Sequence, residues 1–155
     1  MTTSSTARGR MTASAVQKAA LVVGIVFIVV GILGFIPGAT TNIETLMFAG
    51  HESGALLLGV FQVSILHNIV HLLYGIAGVA LARTFSGARN YLIWGGAVYL
   101  VLWLYGLFVA LDSPANFVPL NDADDWLHLV LGLGMIALGL TLGRSDRVRT
   151  SDSRV

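Results

Sequence analysis

Three of the four histidines, His67, His71 and His128, lie inside long apolar stretches, where an ionisable ring needs a reason. His67 and His71 are four residues apart, so on a helix both rings project from one face. Asn68 lies between them, Asp125 stands three residues before His128, and Gln62 and Asp124 lie nearby. Ionisable groups at membrane depth are costly, and they face a bundle interior or water. Three chemistries fit the cluster of His67, Asn68, His71, Asp125 and His128. It can be structural, each polar group bonding a neighbouring helix. It can bind a metal through His67, His71 and His128, or haem through axial His71 and His128, since neutral imidazole is the commonest metal ligand. It can be the proton-linked or small-ligand site of a permease or sensor, with His and Asp titrating. The structural reading carries the most weight because no closed set of four ligands is visible, and no cofactor is the simplest expectation. His51, beside Glu52 in a polar loop, is expected to be exposed.

Ser64 sits one helical turn before His67, but a buried serine that bonds its own helix explains it better than a nucleophile does. No Gly-rich phosphate loop, nucleophile–base pair or carboxylate pair across a cleft is present. The sequence therefore leans away from an enzyme while leaving the question open.

The elements that must position these residues follow from charge and hydropathy. Of the 155 residues, 55% are apolar and only 11% are charged, against roughly 25% charged in a soluble domain. Four long uncharged stretches remain: 19–36, 53–82, 90–111 and 126–143. About 20 helical residues span a bilayer core, and lipid leaves no alternative partner for backbone polar groups. The expected fold class is an all-α integral membrane four-helix bundle, with helices at about 16–36, 60–82, 90–111 and 124–143 in one domain, 16–143. Residues 1–15 and the basic 144–155 read as disordered tails. The first stretch, at 18 residues, exceeds the ~7–15 of a signal peptide and is expected to be retained.

All nine basic residues fall before or at the very start of the first helix, between the second and third, or after the fourth. The other two loops carry Glu44, Glu52, Asp112, Asp122, Asp124 and Asp125 instead. By the positive-inside rule both termini are cytoplasmic. Tyr91 and Trp94 near the inner face, and Phe117 and Trp126 near the outer, suit interfacial anchors. The composition suggests a bacterial plasma membrane protein. A net charge of +1 argues against nucleic acid as a partner, which leaves the lipid bilayer, a second copy or another membrane protein. With no cysteine, disulfides and thiolate metal sites are excluded.

The second and fourth helices share the pattern [Asn/Asp]-x-x-His-Leu-x-x-Gly, at Asn68–Gly75 and Asp125–Gly132. This suggests two helical hairpins repeated about an axis along the membrane normal. Gly75 and Gly78 on one helix, and Gly132 and Gly139 on the other, continue the polar stripes as small residues, the usual mark of helix–helix contact.

Two segments, Leu58-Gly-Val-Phe-Gln-Val-Ser-Ile-Leu-His-Asn-Ile-Val-His-Leu-Leu-Tyr-Gly75 and Asn116-Phe-Val-Pro-Leu-Asn-Asp-Ala-Asp-Asp-Trp-Leu-His-Leu129, resemble a family of small bacterial membrane proteins known as domain of unknown function 4383. The resemblance covers about residues 16–143. It implies a four-helix membrane protein typical of high-GC Gram-positive bacteria, and it supplies no activity, substrate or cofactor.

Overall fold

The structure, a computed structural model, describes residues 13–152, with side chains for residues 13–144. Four helices carry it: α1 (Ala15–Leu33), α2 (Ile65–Leu81), α3 (Phe85–Phe108) and α4 (Asp122–Asp152). Within the described residues, α1, α3 and the Asp122–Arg144 part of α4 are long and apolar enough to cross a membrane. The apolar α2 has 17 residues, about 25 Å at ~1.5 Å per residue.

Each helix start is written in the local sequence. Ser14 caps α1 with a full capping box: its hydroxyl accepts from Gln17 N, and the Gln17 side chain accepts from Ser14 N. Ser64 caps α2 by accepting from His67 N, and Thr84 caps α3 by accepting from Gly87 N. Thr84 explains why α3 begins at Phe85 rather than near 90. Arg89, assigned to a loop on charge alone, belongs to its second turn. The α4 helix continues to Asp152, so residues 144–152 extend the helix where a tail was expected. The expected N-terminal tail lies almost wholly outside the described residues.

The largest departure lies between α1 and α2. Residues 60–64 do not begin a helix. A three-stranded antiparallel sheet forms there, ordered β1 (Thr40–Thr41), β2 (Leu56–Leu57) and β3 (Phe61–Gln62). The β2–β3 turn places Leu58 at φ 52° and Gly59 at φ 71°, left-handed values that end any helix. Hydropathy could not see this, because an apolar strand and an apolar helix look alike in composition. Ala55, Leu57 and Val63 form a small core with Val30 and Leu33 of α1, so the sheet caps one end of the bundle.

The helices pack as two hairpins, α1 against α2 and α3 against α4. A shift of 72 residues maps the buried face of α1 onto that of α3: Val16 on Ala88, Ala20 on Leu92, Gly24 on Gly96, Phe27 on Tyr99 and Gly34 on Gly106. A shift of 57 maps His67, Asn68, His71 and Gly75 of α2 onto Asp124, Asp125, His128 and Gly132 of α4. The contacts repeat as well. Gly24 lies on Gly75, and Gly96 on Gly132. The Asn68 side chain rests on Gly34, and the Asp125 side chain on Gly106. Phe27 and Tyr99 stack on each other, centroids 5.3 Å apart, where the two halves meet. The shift falls from 72 to 57 because the first hairpin has the longer loop, and the sheet occupies it.

Gly78 lies against Tyr91, and Gly139 against Ile93, Leu92 and the Arg89 carbonyl. Tyr91 is no interfacial anchor: it is 5% exposed and packs in the core beside Tyr74. Trp94 at 70% and Trp126 at 63% are exposed on the outside of the bundle, as is Phe117 in the α3–α4 loop.

Candidate functional site

Beneath the sheet, at the end of the bundle where α2 and α4 begin, is a cavity of about 100 Å³. Its polar lining comes from His67 and His71 on α2, Tyr99 on α3, and Asp124 and His128 on α4. Its apolar walls include Val30, Leu57, Leu58, Phe61, Leu127 and Leu131. All four helices and the sheet therefore contribute. The repeat supplies two polar pairs, His67 with Asp124 and His71 with His128, while the repeat counterpart of Tyr99 is the apolar Phe27.

His67 Nε2 and His71 Nε2 are 3.2 Å apart. Their spacing on α2 brings the rings edge to face, centroids 4.5 Å apart. Two nitrogens in such contact share one proton, so one ring donates and the other accepts. The pair cannot survive with both rings protonated, because neither Nε2 would then have a lone pair. The ring of His128 packs on Tyr99 and that of His71 on Phe27, at 5.2 and 5.6 Å. His71 Nδ1 and His128 Nδ1 are buried without a hydrogen-bond partner.

Asp124 is 2% exposed. Its Oδ2 accepts from Gln62 N at 3.0 Å and from Asn121 N at 3.1 Å, while Asn121 Oδ1 accepts from Asp124 N at 3.0 Å. One carboxylate thus caps the start of α4 and joins it to β3. Asn121 Nδ2 adds a bond to the Val60 carbonyl at 2.8 Å. Gln62 in turn donates through Nε2 to the carbonyls of His51 and Ser53, at 2.9 and 2.7 Å. The half-buried His51 thereby takes part in the cap through its backbone.

The structure brings His67, His71 and His128 to one cavity and turns Asn68 and Asp125 away from it. A helix rotates ~100° per residue, so the neighbours of His67 and Asp124 face the partner helix. Asn68 and Asp125 press on Gly34 and Gly106, and neither Asn68 amide atom nor Asp125 Oδ1 has a hydrogen-bond partner. Sequence reasoning put Asp124 near the cluster without making it a site residue, and it missed Tyr99 as a lining residue. Asp124 was findable, since it precedes His128 by four residues, the spacing of His67 and His71. Tyr99 was findable only through the 72-residue repeat with Phe27.

Ser64 is fully buried, and its hydroxyl is engaged at the N-cap of α2. Among the described residues no group of three or more His, Asp or Glu side chains is arranged to hold a metal ion. The cavity is also well below the ~300 Å³ at which pockets for drug-sized ligands begin, so a haem does not fit it.

The family model described as a domain of unknown function, DUF4383, matches residues 17–141. No curated protein and no solved structure matches the chain.

Proposed function

Because the chain belongs to the DUF4383 family, whose description carries no activity, we propose from the site's geometry that it is a non-enzymatic, proton-linked sensor or permease component of the bacterial plasma membrane. The observation that carries this reading is the shared-proton pair His67–His71 on a cavity that also holds His128 and Asp124. Such a site exchanges protons with whatever reaches the cavity, and its walls admit only a small molecule. The sheet and the acidic loops lie on the outer side, and both termini lie in the cytoplasm, as the one-sided distribution of arginine supports. The small area outside the bilayer leaves its lipid-facing sides as the place to meet a second copy or a partner.

The test is imidazole ¹⁵N spectroscopy of the protein in lipid nanodiscs. One ring of the His67–His71 pair is expected to take up a proton before the other as the pH of the medium is lowered, and the Nε2–Nε2 contact then breaks when the second is protonated. Imidazole signals that stay fixed between pH 4 and 9 would return the cluster to a packing role. Reporter fusions at either terminus check the orientation, and a reporter active only outside the cell would reverse it.

A further inference from the structure

Below the cavity, the bundle interior holds more polar groups than packing requires. Tyr99 lines the cavity and meets Tyr74 edge to face, ring centroids 5.5 Å apart. Tyr74 in turn packs on Tyr91 at 5.2 Å. The hydroxyls of Tyr74 and Tyr91 are buried, and neither has a hydrogen-bond partner. Glycines make room for both: the Tyr74 hydroxyl lies against Gly95, and that of Tyr91 against Gly78. Phenylalanine would fill these places without burying an unpaired polar atom.

The line has a direction. From Tyr99 to Tyr91 is eight residues of α3, about 12 Å toward its start. Tyr91 itself stands six residues, about 9 Å, from that start at Phe85. Asp124, His67, His71, His128, Tyr99, Tyr74 and Tyr91 thus run from the capped end of the bundle toward the opposite end. Each tyrosine hydroxyl can both donate and accept a hydrogen bond, and each neutral imidazole carries one donor and one acceptor nitrogen. The groups that face His71 along this line are His67 on its own helix, His128 and Asp124 on α4, and Tyr99 on α3. Among the described residues no arginine or lysine belongs to it.

We propose that this line of buried hydroxyls and imidazoles is a route for protons through the bundle, from the cavity under the sheet to the far end of α3. The inference rests on reading the cavity as a protonatable site. In each step one O–H or N–H bond breaks as the next forms, and single waters bridge hydroxyls that do not touch. One proton enters at the His67–His71 pair and one leaves beyond Tyr91, with no other bond changed.

The experiment is proton flux into proteoliposomes of the full chain, driven by a valinomycin-clamped potassium potential and read by trapped pyranine. The wild type is expected to acidify the lumen at least tenfold faster than protein-free liposomes. Tyr74→Phe and Tyr91→Phe are each expected to cut that rate tenfold or more at undiminished thermal stability, because each removes a hydroxyl that bonds no protein group. Tyr105→Phe is expected to keep the full rate, since the Tyr105 hydroxyl lies off the line and bonds the Ala115 carbonyl. Wild-type flux no faster than empty liposomes, or full flux in both Tyr74→Phe and Tyr91→Phe, overturns the route. Imidazoles that respond to pH in a protein that conducts no protons would refute the route and leave the sensor reading in place.

Discussion

Replacing Gly75 by alanine tests the hairpin packing at its closest backbone approach. A Cβ at Gly75 would stand 2.5 Å from the Gly24 carbonyl oxygen and 2.7 Å from Ile28 N, both backbone atoms of α1. Real Cβ contacts essentially never fall below 3.0 Å, so α1 and α2 must separate by about half an ångström. Backbone cannot rotate away as a side chain can, and the separation loosens contacts along the whole hairpin. Overpacking of this kind costs about 1–3 kcal/mol, and the better helix propensity of alanine returns up to about 1 kcal/mol. The expected net loss is about 1–2 kcal/mol. Gly134→Ala is the control, because a Cβ there meets nothing within 4 Å. That variant should be neutral or gain up to about 1 kcal/mol. Reversible unfolding in mixed micelles by sodium dodecyl sulfate measures both. A Gly75→Ala protein as stable as Gly134→Ala would refute the close α1–α2 approach. Gly96→Ala, 2.7 Å from the Gly132 carbonyl oxygen, should lose a similar amount if the two hairpins are packed alike.

Other perturbations read single contacts. Asp124→Ala removes the acceptor of two backbone N–H groups and should cost about 2–4 kcal/mol, with faster amide exchange at Gln62 and Asn121; unchanged exchange would show that the carboxylate does not hold the cap. Ser64→Ala should cost about 1 kcal/mol as a lost N-cap, and a loss far above that in the same unfolding assay would point to a role outside capping. Asn116 Nδ2 donates to the carbonyls of Leu111 and Leu120, and Oδ1 accepts from Leu120 N. Asn116→Ala should therefore loosen the α3–α4 loop at a cost of about 2–3 kcal/mol, visible as proteolytic nicking between residues 109 and 121. An intact loop at equal protease dose would contradict this.

Four helices were legible in the sequence because lipid-compatible stretches announce themselves by missing charge. Their ends were less so. Thr84 and Ser64 are caps, and caps carry no hydropathy signal, so α3 was expected to begin five residues late and α2 five residues early. The sheet was hidden for the same reason: Leu56, Leu57 and Phe61 are as apolar as any helical residue, and only the left-handed turn at Leu58 and Gly59 makes them strands. The His67–His71 spacing was legible because four residues define a face on any helix. Which carboxylate faced the cavity was not, since Asp124 and Asp125 are adjacent and only the packed register of α4 separates them. The repeat was visible in α2 and α4. In α1 and α3 it was obscured, because apart from the shared glycines the matching residues, such as Phe27 and Tyr99, differ in type.

The pairing of hairpins also bears on chain order. The α2–α3 connection takes only three residues, 82–84, and the start of α1 and the last turns of α4 come out at the same end of the bundle as that connection. Cutting there and joining the old ends would reverse the order of the hairpins along the chain while leaving each helix facing its present neighbours. The architecture is thus compatible with circular permutation, and with production as two separate half-chains that assemble in the bilayer as a heterodimer.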